Sequence, residues 1–264
     1  MTIGFIGGGN MGGAIIGGIV ESKSAEPANI YVYDVNTDAV TKLKDQYGIQ
    51  QVVIAQAAVN AADILFLCVK PNVLYNVINE IKDNVSENTL IISIAAGQSI
   101  DAIENAFGKE IKLIRVMPNT PALVGEGMSA LSPNGNVTNT ELETAVELFN
   151  SFGKAEVVPE KLMDTVTAVS GSSPAYVFMF IEAMADAAVM GGMPRQQAYT
   201  FAAQSVLGSA KMVLETGKHP GELKDMVCSP AGTTIEAVAV LEDMGLRAAV
   251  IEAMRACMEK SQSM

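Results

Sequence analysis

Two textures of apolar and polar positions divide this chain near Pro159. Before it, short and nearly continuous apolar runs lie at 2–6, 30–33, 51–54, 63–69, 89–94 and 112–117. Helical patterns at 14–20, 38–47, 55–61, 73–83 and 100–107 separate them. Strands that stay apolar along their whole length are covered on both faces. Strands spaced by helices are joined by right-handed parallel crossovers. The expected fold class is therefore α/β, with an N-terminal Rossmann-type doubly wound sheet. A run at 128–131, a helix at 139–152 and a run at 155–158 are expected to extend one edge.

From residue 159 on the pattern is helical, rich in Ala and Met. Pro174 suits the first turn of a helix that reaches residue 189, where Gly191-Gly192 stops it. Further helices are expected at 195–215, 234–241 and 246–260. The segment from His219 to Gly232 reads as a Pro/Gly loop. On the helix from Pro174, the face Ala175, Met179, Ala183, Ala187 has mostly small residues and permits close helix contact. A helical module of about 100 residues this apolar is expected to bury part of its surface in a partner subunit. The chain thus divides into an N-terminal domain, 1–158, and an all-α C-terminal domain, 159–264.

Composition narrows the class. At 264 residues, two domains with real cores fit. A hydrophobic content of 49% against 17% charged residues marks a folded chain. No apolar run looks long enough to span a bilayer, and the first residues read as strand, not signal peptide. A net charge of −12 disfavours nucleic acid and anionic membrane surfaces. Cys68, Cys228 and Cys257 are odd in number, widely spaced and form no C-x-x-C. That pattern suits a reducing cytoplasm, without a disulfide framework or zinc site. The one histidine, His219, leaves no His-clustered metal site in a single chain.

The chemistry starts where the first strand ends. Ile6-Gly7-Gly8-Gly9-Asn10-Met11-Gly12 holds a Gly-x-Gly-x-x-Gly between an apolar strand and an apolar helix. Gly7 permits a tight turn, Gly9 lets a diphosphate approach the backbone, and Gly12 lets the helix pack on the strand. The helix N-terminus adds free N–H groups and partial positive charge. Asp34 follows the second run, 22 residues past Gly12, where a carboxylate can accept from both ribose hydroxyls and would repel a 2′-phosphate. The expected cofactor is NADH or NADPH, with Asp34 favouring NADH. Cys68-Val69-Lys70-Pro71 and Ala95-Ala96-Gly97 close the fourth and fifth strands at the edge where open α/β sheets bind ligands. Asn119, after the sixth strand, can reach the nicotinamide end or cap its turn.

A second segment is His219-Pro220-Gly221 through Ser229-Pro230-Ala231-Gly232-Thr233-Thr234-Ile235-Glu236. Thr233 and Glu236 have capping-box spacing. Unpaired N–H groups with the hydroxyls of Ser229, Thr233 and Thr234 make a carboxylate-sized anion site, or simply a well-capped helix. His219 reads as a turn residue.

These motifs, with Arg115-Val116-Met117-Pro118-Asn119-Thr120-Pro121 and Ser170-Gly171-Ser172-Ser173-Pro174-Ala175-Tyr176, together resemble pyrroline-5-carboxylate reductases over essentially the whole chain. The resemblance implies reduction of 1-pyrroline-5-carboxylate to L-proline by NAD(P)H. It also implies an interlocked helical domain, a homodimer and a pentamer of dimers. It places the substrate carboxylate at Ser229, Gly232, Thr233 and Thr234, with Thr234 near the imine nitrogen as the catalytic residue. Ala231 stands where a glycine is commoner in that family, which stiffens the loop. A cyclic iminium is already electrophilic, so such a site needs hydride proximity and a grip on the carboxylate, with no nucleophile and no metal.

Two other classes compete. A β-hydroxyacid dehydrogenase shares the N-terminal fingerprint, but it needs an acid or base for the hydroxyl proton. The helix from Pro174 has no Lys or His through residue 189. A non-catalytic dinucleotide sensor would have little use for the Ser229–Thr234 anion loop.

Overall fold

The computed structural model describes residues Met1–Ser263. They form two compact units, one of Met1–Ser172 with Cys257 onward, the other of Ser173–Ala256. The change of texture at Pro159 thus precedes the division of the fold. The intervening residues, and the end of the last helix, pack with the sheet.

The first unit opens with β1 (Ile3–Ile6), α1 (Asn10–Glu21), β2 (Ile30–Tyr33), α2 (Thr37–Tyr47) and β3 (Gln50–Gln51). It continues with α3 (Ala55–Ala61), β4 (Ile64–Leu67), α4 (Pro71–Ile81), β5 (Leu90–Ser93), α5 (Ile100–Phe107) and β6 (Lys112–Met117). β7 (Gly127–Pro133), α6 (Asn139–Asn150), β8 (Gly153–Val157) and the single turn α7 (Met163–Val166) complete it. The sheet order is β3-β2-β1-β4-β5-β6-β7-β8, parallel except for β6 against β7. β7 returns without a crossover helix, so it must run antiparallel to β6. β3 is shorter than expected: after the Val52 N–H bonds the Val32 carbonyl at 3.0 Å, residues 53–54 turn away toward α3.

Alternate residues of each strand enter two cores. Ile3, Phe5, Ile64 and Phe66 join Ile15, Ile19 and Phe149 on one face. Ile6, Leu65, Leu67 and Ile91 join Leu74, Ile78 and Ile103 on the other. Phe5 stacks on Phe66 at 4.6 Å between ring centroids. Burial on both faces explains why these strands read as continuous apolar runs.

Between α7 and the second unit lies one π-helical turn, Thr167–Gly171, closed by the Ser172 N–H to the Thr167 carbonyl at 2.8 Å. The C-terminal end of the last helix, α12, returns to this region. There the Ser261 hydroxyl bonds the Asp164 carboxylate at 2.6 Å and the Cys257 thiol lies 3.3 Å from the Ser172 hydroxyl.

The second unit holds α8 (Ser173–Met190), α9 (Arg195–Thr216), α10 (Pro220–Met226), α11 (Thr233–Asp243) and most of α12 (Leu246–Gln262). Ala185 of α8 and Ala198 and Ala202 of α9 are buried. The small-residue face Ala175, Met179, Ala183, Ala187 is instead exposed within the chain. Phe178, Phe180, Phe201 and Leu214 are exposed as well. Through the π-helical turn, 160–190 become one helical stretch, long and apolar enough by length and composition to cross a membrane. The sequence starts this helix at Pro174, and the structure carries it back through the π-helical turn.

Candidate functional site

The ends of β1 and β4 flank the point where the strand order reverses, and the residues after them converge there. Gly7 adopts φ +108°, a conformation open mainly to glycine, and a Cβ there would overlap the Cys68 carbonyl. Gly12 sits so close beneath the turn that a Cβ would overlap the Gly7 carbonyl. Above Gly9 no atom lies within 4 Å of where a Cβ would sit. α1 starts there with Gly9 as N-cap and no side-chain cap. The first-turn N–H groups of Asn10, Met11 and Gly12 therefore point at open space, as an anion requires.

Asp34 closes the other side. One carboxylate oxygen accepts the Gly8 N–H at 2.7 Å, and the other accepts the Asn36 N–H at 2.8 Å. The carboxylate is thereby fixed between the glycine turn and the end of β2. Beside it lies a cavity of about 160 Å³, lined by Ile6, Gly7, Tyr33, Asp34, Val35, Val69, Val73 and Val77. An apolar slot with one carboxylate at its edge fits a flat aromatic base joined to a ribose. These residues therefore fit a dinucleotide. Tyr33, Val35, Val73 and Val77 were not among the expected contacts. Val35, 87% exposed in a polar turn, was the available signal.

The remaining loops line the same sheet edge. Lys70 is the N-cap of α4 and its side chain is exposed, while Pro71 takes the first helical position. Burial pushes the Cys68 thiol far above its usual range, so Cys68 packs as a protonated side chain and is no nucleophile. Ala95 is buried, and Gly97 turns the chain at φ +72°. Asn119 departs from expectation. Its amide is committed inside the protein, accepting the Met128 N–H at 2.8 Å and donating to the Ser170 carbonyl at 3.1 Å. At 8% exposure it is a brace, not a side chain held out to a cofactor.

The anion loop lies in the second unit. His219 is the N-cap of α10, its Nδ1 accepting the Gly221 N–H at 3.0 Å, so the expected Pro/Gly loop is partly helix. Pro220 opens that helix at its first position, as proline can. The expected capping box at the start of α11 does not form. Gly232 is the N-cap, Thr233 is already helical, and no side chain caps the helix. Ser229 turns the chain into it by accepting the Gly232 N–H at its carbonyl, 3.0 Å away. Ala231 between them has φ +55°, which costs a non-glycine residue about 1 kcal/mol. Ser229 and Thr233 are exposed, and Gly232 and Thr234 are half-buried. The result is a helix start with free N–H groups and three nearby hydroxyls. Among the described residues no group of three His, Cys, Asp or Glu is placed to hold a metal ion.

Residues 160–264 match the family model described as pyrroline-5-carboxylate reductase dimerisation, and residues 2–97 match NADP oxidoreductase, coenzyme F420-dependent. The chain is 57% identical over 262 residues to the pyrroline-5-carboxylate reductase of Escherichia coli (strain K12), covering 99% of this chain and 97% of that one. The chain belongs to the pyrroline-5-carboxylate reductase family. Within that family, the Plasmodium falciparum pyrroline carboxylate reductase structure with NADP bound superposes with a TM-score of 0.91. It is 35% identical, over 100% of this chain and 97% of that chain. The pyrroline-5-carboxylate reductase of Coxiella burnetii gives 0.92 at 34% identity, over 99% and 97%. Membership makes the protein an NAD(P)H-dependent oxidoreductase whose cofactor is a nicotinamide dinucleotide.

Proposed function

We propose that the protein reduces 1-pyrroline-5-carboxylate to L-proline, the dinucleotide being held by the sheet-edge loops of 1–158 and the substrate by the helical region 159–264. The observation that carries the substrate assignment is the uncapped start of α11, a small-anion site with hydroxyls and no strong acid or base. When bound, the reduced nicotinamide supplies the hydride that adds to the imine carbon. The chain's own residues bind and orient. Gly7, Gly8 and Gly9, with the N–H groups of Asn10, Met11 and Gly12, receive the diphosphate. Asp34 receives the adenine-side ribose, and Val69, Lys70, Pro71, Ala95, Ala96 and Gly97 line the path of the rest. Ser229, Gly232 and Thr233 grip the substrate carboxylate. The Thr234 hydroxyl accepts from the iminium N–H and donates as the amine forms. It acts as a positioning and relay group.

Asp34 supports NADH as the preferred cofactor, since a carboxylate fixed by two backbone N–H groups cannot easily swing away from a 2′-phosphate. The helical region supports a homodimer, and the resemblance extends this to a pentamer of dimers. Three free cysteines accord with residence in the cytoplasm.

The test is spectrophotometric. NAD(P)H should be oxidised when pyrroline-5-carboxylate is added, with and without EDTA. Thr234→Ala should lower kcat/KM about 10-fold or more, or about 1.4 kcal/mol, and leave NADH affinity unchanged. Folded protein that turns over with neither cofactor would end this reading.

A further inference from the structure

The motif Met117-Pro118-Asn119-Thr120-Pro121 and the segment Ser170-Gly171-Ser172 meet in the first unit, at the C-terminal end of β6. The meeting is close. A Cβ on Gly171 would lie 2.5 Å from the Met117 methyl carbon. Asn119 then adds the amide bond to the Ser170 carbonyl. The need for that bond is written in the sequence. In a continuous α-helix the Ser170 carbonyl would accept the N–H of residue 174, and residue 174 is proline, which has none. The closing bond of the π-helical turn goes to Thr167, not to Ser170. A carbonyl left unpaired in a half-buried turn is costly. Asn119 stands in for the missing donor, and its other end fixes the Met128 N–H at the start of β7.

We infer that Asn119 is a positioning residue for hydride transfer, setting the loop after β6 against the π-helical turn by replacing the N–H that Pro174 lacks. The inference rests on the proposed reduction. β6 is parallel to β5, so this loop lies on the sheet edge beside Ala95–Gly97, where the reactive end of the dinucleotide is proposed to lie. Asn119 acts through the loop backbone and touches neither cofactor nor substrate.

The test compares wild type with Asn119→Ala, Pro174→Ala and the double variant. Asn119→Ala should lower kcat at least ten-fold, with the dinucleotide Kd from fluorescence within two-fold of wild type. Pro174→Ala restores a backbone donor and should keep kcat within two-fold. The double variant should stay as slow as Asn119→Ala, because residue 174 then pairs the Ser170 carbonyl while nothing ties the loop to it; a role limited to satisfying that carbonyl predicts recovery instead. Hydrogen exchange reads the brace without any substrate. Met128 should exchange faster in Asn119→Ala, and 166–172 should regain protection in the double variant. Should Asn119→Ala fail to fold, Asn119→Ser, which is smaller and leaves the pocket uncharged, breaks the reach to Ser170 and gives the same kcat readout. Normal kcat in a folded Asn119 variant, a Kd that weakens in step with kcat, or a double variant restored to wild-type kcat would overturn the inference. Wild type without turnover but with the expected exchange pattern would instead count against the proposed reaction alone.

Discussion

Asp34 illustrates what one side chain can carry. Its two oxygens hold Gly8 and Asn36, so it shapes the turn as well as standing where the ribose is proposed to bind. Asp34→Ser should therefore have two effects. The ratio of kcat/KM for NADH over NADPH should shift toward NADPH by about 1–2 kcal/mol, as for one charge contact in a partly solvated site. Affinity for both dinucleotides should also fall, because the Gly8 N–H loses its partner. Steady-state kinetics with each cofactor check this, and a wild-type preference for NADPH would remove the ribose assignment. The glycine turn was legible because a strand–turn–helix states its needs within a dozen residues, and Asp34 because it ends the next apolar run. Asn119 was not, because its partners lie 9 and 51 residues away.

Elements were legible to the extent that their signals are local. The parallel strands and their helices follow from apolar runs. β7's direction and β3's early end depend on neighbours that periodicity does not name. At the start of α11, Thr233 and Glu236 had the right spacing, but Gly232 takes the cap position. At α6 the same grammar holds. Thr138 caps it, accepting the Glu141 N–H at 3.3 Å, and the Glu141 carboxylate accepts the Thr138 N–H at 2.9 Å. Burial alone would raise the Glu141 carboxyl, yet the Lys112 ammonium at 2.7 Å and the Thr138 bonds outweigh it and hold it below the usual carboxylate range. A carboxyl whose folded value lies below its unfolded value stabilises fully above the unfolded value, and that stability is lost as pH falls through the folded one. Glu141→Gln should therefore cost about 1 kcal/mol at pH 7 in urea unfolding, and the gap should shrink as pH falls below the ordinary carboxylate range.

For the whole molecule, the exposed apolar residues of α8 and α9 decide the expectation. Phe178 is 63% exposed, Phe201 66% and Leu214 80%. Surfaces of this kind are covered in working proteins. For a chain matched by a dimerisation model, the economical cover is a second copy. Size exclusion with light scattering should give a dimer or a multiple of dimers at micromolar concentration. A fully active monomer of 27.7 kDa would refute this. The sequence pointed to a partner through composition, and the small-residue face of α8 that it singled out for close helix contact is exposed within the chain, where a second copy can reach it.

The return of α12 to the first unit sets synthesis against assembly. The sheet and its helices leave the ribosome early, yet Asp164 and Ser172 wait for Ser261 and Cys257, which are translated 97 and 85 residues later. The second unit must be made before the first is complete. Nascent chains stalled at Ala256 should carry a formed sheet with an unprotected 163–172 segment, and hydrogen exchange should show that segment closing only after the remaining residues emerge. Factors that hold unfinished chains would find their target there, in the unit that appears first.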